Sequence, residues 1–224
     1  FNFKNPNLAI KKVRQAIALS IDLKQLESDI YLDNGTVSDS IYFPNFLGSK
    51  NAGDPYQINP ENALKLLKSQ GYKDNDGTIE NSLGAKIYIS ILVNRDNLTR
   101  VDVAKSIAKS LNDLGFIAKV DSVSWANYKT KLAKGDFDMY LGGYTFEKRY
   151  NLSELLTGDN YINYNNSDVT ENVNKLETAM SAKSYLSTYN KLKSVLIDDL
   201  PYYCLNYENF SLLTVKTFKA TDLP

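Results

Sequence analysis

The sequence predicts an α/β domain with a mixed β-sheet flanked by helices, and three observations support this fold class. The 224 residues, 43% hydrophobic and 23% charged, are enough to bury one sizeable core. A strand-like run (KIYISILV), a helical run (LTRVDVAKSIAKSLNDLG) and a second strand-like run (FIAKVDSV) follow one another. This order is typical of a βαβ unit with parallel strands. Finally, no low-complexity linker or internal repeat divides the chain, which predicts a single domain.

The first sixty residues predict two helices and a long loop. In NPNLAIKKVRQAIALSID, apolar residues recur at helical spacing and give a core-facing side. Asp22 is a predicted N-cap for a second short helix, LKQLESDIYLDN, which Gly35 is expected to stop. The stretch TVSDSIYFPNFLGSKNAGDPYQI is rich in Gly, Pro, Asn and Ser and has no period, so it predicts an ordered loop.

The remaining elements alternate in the same way. In NPENALKLLKSQGY, Asn59 is the predicted cap, Pro60 occupies the first turn and Gly71 takes the left-handed position after the helix. KDNDGTIENSLGA predicts a hydrophilic turn region. After the βαβ unit, SWANYKTKLAKG predicts a helix and FDMYLGGY a strand. NLSELL, residues 168–180 and residues 185–200 predict helices, and PYYCLNYENFSLLTV predicts a bent strand or a hairpin.

Composition excludes several classes of function. Lys+Arg and Asp+Glu are both 26, so no charge excess favours nucleic acid as a partner. The chain has no histidine, which closes Ser-His-Asp, Cys-His and histidine-ligated metal chemistries. The single cysteine, Cys204, is predicted to be a buried strand residue. FNFKNPNL lacks the layout of a signal peptide, so we expect the chain to begin inside a longer protein.

The short motifs do not predict a cofactor or a catalytic site. DNDG resembles a calcium loop, but alignment on Gly77 puts Tyr72 and Leu83 where acidic ligands are needed. No GxGxxG or phosphate-binding loop is present, and we expect no cofactor and no metal. The pairs Asp198–Asp199 and Asp136–Asp138 border predicted turns, so we interpret them as solvated boundary residues rather than an acid–base pair.

Tyrosine is the unusual part of the composition. Sixteen tyrosines and one tryptophan, Trp125, offer rigid contact area together with a hydrogen-bonding group, which suits amphipathic ligands. Most tyrosines are expected to pack half-buried on helices and strands. Those near predicted strand ends are better ligand candidates, because α/β ligand sites gather there. They are Tyr144, Tyr150, Tyr203 and Tyr207.

Four segments in order resemble the oligopeptide- and dipeptide-binding proteins of ABC importers, extracellular solute-binding protein family 5. They are NPNLAIKKVRQAIALSID, NPENALKLLKSQGYKDNDG, WANYKTKLAKGDFDMYLGGY and LIDDLPYYCLNY, and they cover nearly the whole chain. The resemblance implies a periplasmic-binding-protein-like type II lobe, the second lobe of a two-lobed receptor whose N-terminal lobe lies outside residues 1–224.

The resemblance also implies a function. We expect a monomeric, non-enzymatic receptor that captures peptides or small molecules and delivers them to an ABC transporter permease. Its expected location is extracytoplasmic, as a cell-surface lipoprotein or in the periplasm, with signal and anchor upstream. Two alternatives remain: a receptor for another solute, such as a chelated metal, and a carboxylate-based hydrolase using Glu147 with Asp138 or Glu154. A peptide-binding regulator or adhesin with the same fold is a further class.

The resemblance suggests ligand-binding residues as well. After a strand that ends in Gly-aromatic, the family places an acid that pairs with the ligand's α-ammonium group. Matching from Gly143 and Tyr144 puts Glu147 at that acid, whereas matching from Tyr150-Asn151 puts the cation Arg149 there. Both alternatives stay open, because the family's acid is usually followed directly by Tyr-Asn. Aromatic contacts are expected from Trp125, near the start of a cleft helix, and from Tyr203, after LP.

Overall fold

A computed structural model describes residues 1–48, 52–146 and 151–209 of the chain. It confirms the α/β fold class. The helices are α1 (Lys11–Ala18), α2 (Leu23–Asp29), α3 (Pro60–Ser69), α4 (Leu98–Asp113), α5 (Trp125–Lys134), α6 (Ser153–Leu156), α7 (Ser167–Glu177) and α8 (Ala182–Asp199). The strands are β1 (Gly35–Thr36), β2 (Lys73–Asn75), β3 (Thr78–Glu80), β4 (Tyr88–Asn94), β5 (Ile117–Val123), β6 (Met139–Tyr140) and β7 (Tyr207–Glu208), and Phe46–Gly48 form a 3₁₀ turn.

The central sheet is parallel, with strand order β5-β4-β6. β4 pairs with β5 along its whole length, from Tyr88 opposite Ile117 to Asn94 opposite Val123, and α4 forms the crossover between them. This confirms the predicted βαβ unit. The strand predicted in FDMYLGGY is much shorter than expected, because only Met139 and Tyr140 pair with β4 before the chain turns away at the glycines.

In the described part of the chain, the parallel strands form one sheet and the antiparallel strands form two others. β2 and β3 form an antiparallel hairpin where a hydrophilic turn region was predicted, and Ile79 from its centre is buried. DNDG is the turn of this hairpin, with the Gly77 amide donating to Asp74 Oδ1 at 3.0 Å. β1 and β7 form a second antiparallel pair, which joins segments far apart in the sequence.

Local signals set the helix starts but not every helix end. Asp22 accepts the amides of Lys24 and Gln25, and Asn59 accepts the amide of Asn62, as the capping pattern predicts. Gly71 takes its left-handed conformation, with φ of 82°. The prediction that Gly35 stops α2 is wrong, since α2 ends at Asp29 and Gly35 lies in β1.

The core consists of two hydrophobic clusters on opposite faces of the parallel sheet. Side chains alternate along β4, so Ile91 and Val93 join the cluster that contains α1, α3 and α4, while Leu92 joins the cluster that contains α7 and α8. Both faces of β4 are therefore covered, as expected for a parallel sheet. Among the described helices, none has the length and apolar character needed to cross a membrane.

Arg14 is a buried charge at the centre of the fold. Its side chain is 1% exposed and forms an ion pair with Asp199 at 2.8 Å. The guanidinium also donates to the carbonyls of Leu8, Ala9, Asp199 and Leu200, so every part of it has a partner. It thereby ties the segment before α1 to the end of α8.

The interpretation of the two acidic pairs as solvated boundary residues is wrong for one residue of each pair. Asp199 receives hydrogen bonds from Arg14 and from the Tyr164 hydroxyl, the latter at 2.6 Å. Asp138 accepts the amide and hydroxyl of Ser90 at 2.7 and 2.8 Å. Asp198 and Asp136 do lie at the surface, paired with lysines. The turn context in the sequence could not predict these partners, because they come from distant segments.

Candidate ligand-binding site

The carboxyl ends of β4, β5 and β6 meet at one edge of the sheet, because the three strands are parallel. We call this the carboxyl edge and define it by residues 95–100, 124–128 and 141–146, which follow the three strands. In open α/β sheets, ligands bind outside the carboxyl ends of the strands. The edge is therefore the first place to look for a site.

Trp125 lies at this edge, at the first turn of α5. Its backbone amide donates to Asp96 Oδ2 at 3.2 Å, which links the connection after β4 to the one after β5. Its ring stacks on Tyr128, with 5.5 Å between centroids and 14° between planes. The side chain is still 49% exposed, with the ammonium of Lys129 5.7 Å from the ring. A large aromatic surface thus remains available at the edge.

Gly142 and Gly143 are glycines for reasons of space. A Cβ atom at Gly142 would stand 2.9 Å from the Tyr140 ring and 3.2 Å from the Tyr128 hydroxyl. That hydroxyl donates to the Leu141 carbonyl at 2.8 Å, so it is held in place. A Cβ atom at Gly143 would stand 2.1 Å from Arg100 Nη2. The glycines let side chains of α4 and α5 pack directly on the backbone that leaves β6.

Tyr144 follows the glycines and presents its ring at the edge. It is 41% exposed, its hydroxyl donates to Glu154 Oε2 at 2.8 Å, and its ring meets Phe146 edge-on at 5.1 Å. The structure therefore brings two predicted site residues, Trp125 and Tyr144, to the carboxyl edge.

Tyr203 is held differently from these two aromatics. It is half-buried against the first core cluster, and its hydroxyl donates to Asp54 Oδ1 at 2.9 Å. Burial, reinforced by the Asp54 charge, raises the pKa of Tyr203 well above its usual range. The neighbouring Tyr202 lies closer to β6, with its hydroxyl 3.4 Å from that of Tyr140. Of these two tyrosines, the structure thus links Tyr202 to the strand that leads to the edge.

Glu147, Arg149 and Tyr150 lie outside the described residues, so their roles stay predictions. Tyr207 donates its hydroxyl to the Ile41 carbonyl and packs on Phe43. Cys204, predicted in a strand, lies in the stretch before β7 and is half-buried. Burial raises the pKa of the Cys204 thiol to about 12, which makes it a poor nucleophile at neutral pH.

Two carboxylates that the hydrolase alternative would use, Glu154 and Asp138, are engaged in structural contacts. Glu154 receives the Tyr144 hydroxyl, and Asp138 receives Ser90 and, at 2.7 Å, the amide of Asn5. In the described ranges no group of three or more acidic, cysteine or histidine side chains could hold a metal ion. This arrangement suits binding through aromatic surface and hydrogen bonds better than acid–base chemistry.

Arg100 is the residue of the edge that sequence reasoning missed. It lies in the first turn of α4 and is half-buried, with its guanidinium against Gly143. A cation at the positive end of a helix with no acid in that turn was the available signal. The sequence could not show that Gly143 provides the space for it.

The fold of this chain is that of the solute-binding protein class. Its backbone superimposes on Bacillus subtilis AppA in complex with a nonapeptide, with a TM-score of 0.85 and 24% identity, covering 93% of this chain and 44% of AppA. Campylobacter jejuni NikZ in complex with Ni(L-His) is similar as well, with a TM-score of 0.81 and 21% identity, covering 93% and 44% of the two chains.

Residues 1–160 match the family of bacterial extracellular solute-binding proteins, family 5 middle, and the chain belongs to this family. Among curated proteins, the oligopeptide-binding protein AppA of Bacillus subtilis is 27% identical over an alignment 223 residues long, which covers 93% of this chain and 40% of AppA. Heme-binding protein A of Haemophilus influenzae is 21% identical over an alignment 210 residues long, which covers 90% of this chain and 37% of that protein. The chain thus spans less than half the length of these relatives.

Proposed function

We propose that the chain is one ligand-binding lobe of the substrate-binding component of an ABC importer, which captures oligopeptides or related solutes. The observation that carries the proposal is the exposure of Trp125 and Tyr144, 49% and 41%, which both lie in chain connections at one sheet edge. Exposing large aromatics there costs hydrophobic stabilisation unless a ligand covers them. Family membership supports the same function.

The proposal includes a second lobe that closes over the carboxyl edge. A ligand at an open edge keeps one side in water, and closure by a partner lobe would bury it between two walls. The length of the relatives supports this, since the chain covers 40% of AppA. In this scheme the receptor is a monomer in the extracytoplasmic space, held there as a lipoprotein or free in the periplasm, and it docks on a membrane permease.

A peptide is the preferred ligand class because the edge offers aromatic surface beside a backbone segment. Residues 142–146 belong to no strand in the described part of the chain, and in this proposal the ligand main chain runs beside them. The second candidate is a non-peptide solute such as a chelated metal, and its support is the complex of the similar protein NikZ with Ni(L-His). Trp125 would then cover a planar chelate rather than a peptide side chain.

A hydrolase is not part of the proposal. The family is one of solute-binding proteins. The carboxylates that a hydrolase would use, Asp138 and Glu154, already accept hydrogen bonds from Ser90 and Tyr144. Retained binding without turnover of any peptide would agree with the proposal, whereas turnover abolished by Glu147→Gln would refute it.

Mass spectrometry of material that co-purifies with the full-length protein tests the ligand class. A series of peptides would support the proposal, and a single non-peptide solute would refute its peptide part. Titration calorimetry with a recovered peptide then tests the edge, using Trp125→Ala and Tyr144→Ala. Tyr88→Ala is the matched control, because Tyr88 is 62% exposed but begins β4 at the opposite edge. We expect the two edge variants to weaken binding and the control to leave it unchanged.

The same titrations separate the two alternatives for the charged contact. If Glu147 pairs with the ligand's ammonium, Glu147→Ala should weaken peptides with free N-termini by roughly 1.5–3 kcal/mol, as for a lost charged hydrogen bond. N-acetylated peptides should then bind weakly to the unmodified protein. Equal affinity for free and acetylated peptides would show that Glu147 is not the ammonium partner, and tighter binding of the acetylated peptides would favour Arg149 at this position.

A further inference from the structure

Arg100 is a half-buried cation without an acidic partner among residues 1–48, 52–146 and 151–209. Two other shielded cations among the described residues are paired with acids: Arg14 with Asp199 at 2.8 Å, and Lys193 with Asp39 at 2.7 Å. Withdrawing a charge from water is costly unless an opposite charge or hydrogen bonds compensate. In the described part of the chain, neither an acidic partner nor a side-chain hydrogen bond offsets this cost for Arg100.

Its position on α4 adds a second unfavourable interaction. Arg100 is in the first turn, where the aligned peptide dipoles place partial positive charge, and that turn contains no acidic residue. A cation there is repelled, while an anion beside it would be stabilised by both the guanidinium and the helix. An anion at this position would therefore reverse both costs at once.

The surroundings of Arg100 hold it at the carboxyl edge. Its Nη2 atom occupies the space that a Cβ atom of residue 143 would need, at 2.1 Å. The positive charge lowers the pKa of Tyr128, against the stronger rise caused by burial. The same charge acts on Tyr31, whose pKa is raised to about 12 by burial, then by Glu208 and Glu27, with Arg100 opposing the rise. The guanidinium thus lies among tyrosines next to the exposed aromatics.

We propose that Arg100 is a specificity-determining residue that binds a carboxylate of the ligand. This inference rests on the proposed function and adds a charge preference to it. The planar guanidinium fork matches a carboxylate in a bidentate geometry, and partial burial strengthens the contact. This contact also depends on Gly143, because any side chain at this position would displace the guanidinium. The carboxylate is either the C-terminus of a peptide or an acidic side chain.

The test uses the full-length protein and four versions of one bound peptide. They carry a free or amidated C-terminus, each with Glu or Gln at one side-chain position. Arg100→Gln should weaken the version that supplies the carboxylate roughly 10- to 100-fold, and leave the version lacking that carboxylate unchanged. Loss confined to the free C-terminus identifies that source, and loss confined to the Glu peptides identifies a side chain. Arg100→Lys should retain part of the affinity.

Two further variants control the test. Lys105→Gln removes one positive charge from the same helix at an exposed site, where Lys105 pairs with Asp102, and it should change no affinity. Gly143→Ala should reproduce the selectivity loss of Arg100→Gln, because the new Cβ occupies the guanidinium's place. Unchanged melting curves for Arg100→Gln and Gly143→Ala will show that folding is intact.

Equal fold-changes for all four peptides on Arg100→Gln would overturn the inference, since a structural role does not distinguish ligand charge. Unchanged affinities for all four would overturn it as well. Either result leaves the proposed function standing, provided that peptides bind and that Trp125→Ala weakens them. If no peptide binds the unmodified full-length protein, the proposed function fails before Arg100 is tested.

Discussion

Removal of Arg14 should destabilise the chain more than any surface charge change. The side chain is 1% exposed and its guanidinium contacts four backbone carbonyls and the Asp199 carboxylate. Arg14→Met keeps much of the aliphatic volume but leaves these acceptors without their donor. Breaking a buried ion pair by removing one partner costs about 3–5 kcal/mol, so we expect a loss in that range.

The matched control is Lys11→Met, on the same helix and paired with the adjacent residue Asp198 at 2.6 Å. Lys11 and Asp198 are 40% and 66% exposed, so this pair should contribute about 0–1 kcal/mol. The assay is urea unfolding of the full-length protein, followed by circular dichroism. The reasoning predicts a much lower midpoint for Arg14→Met than for the control.

A loss below about 1 kcal/mol for Arg14→Met would refute the role of Arg14 as the centre of a buried network. The double variant Arg14→Met, Asp199→Asn adds a second check. If the two residues stabilise each other directly, the double variant should lose less than the sum of the single variants. Additive losses would show that the ion pair itself contributes little.

Three further predictions follow from buried polar groups. Glu27 has both carboxylate oxygens buried, and its pKa is raised by burial and then by Asp33, against the Gly35 amide. Glu27→Gln should therefore raise the urea midpoint at pH 7, and the gain should vanish below about pH 4, where the carboxyl is protonated in both the folded and the unfolded protein. Cys204 should react with iodoacetamide at pH 8 far more slowly in the folded protein than in urea, and equal rates would contradict its raised pKa. Asp138→Ala should cost at least about 2 kcal/mol of unfolding free energy because it removes the acceptor of Ser90; a change near zero would show that water replaces it.

The sequence predicted those features that depend on neighbouring residues. Asp22, Asn59 and Gly71 act as predicted because capping involves only the adjacent turn. The βαβ unit was predictable because its strands and helix follow one another with clear periodicity. Tyr144 could be placed near a strand end for the same reason, whereas Trp125 was placed near the site by the family resemblance.

Contacts between distant segments could not be predicted. Arg14 and Asp199 are 185 residues apart, and neither residue's neighbours indicate the pairing. Arg100 packs on Gly143, yet the sequence shows only a glycine pair after a strand. FDMYLGGY has the composition of a longer strand, but β6 ends at Tyr140. Beyond it, the Tyr128 hydroxyl donates to the Leu141 carbonyl and Arg100 packs on Gly143. The charged contact at residues 147–150 remains a prediction from sequence.

The central claim is that the carboxyl edge forms one wall of a peptide site. Photo-crosslinking tests it most directly, with a bound peptide that carries a photoreactive group, the full-length protein and mass-spectrometric mapping of the modified residues. The account predicts cross-links in residues 95–100, 124–128 and 141–146, reduced by an excess of unlabelled peptide. Competed cross-links that fall only on the β2–β3 hairpin or on α7 and α8 would contradict it.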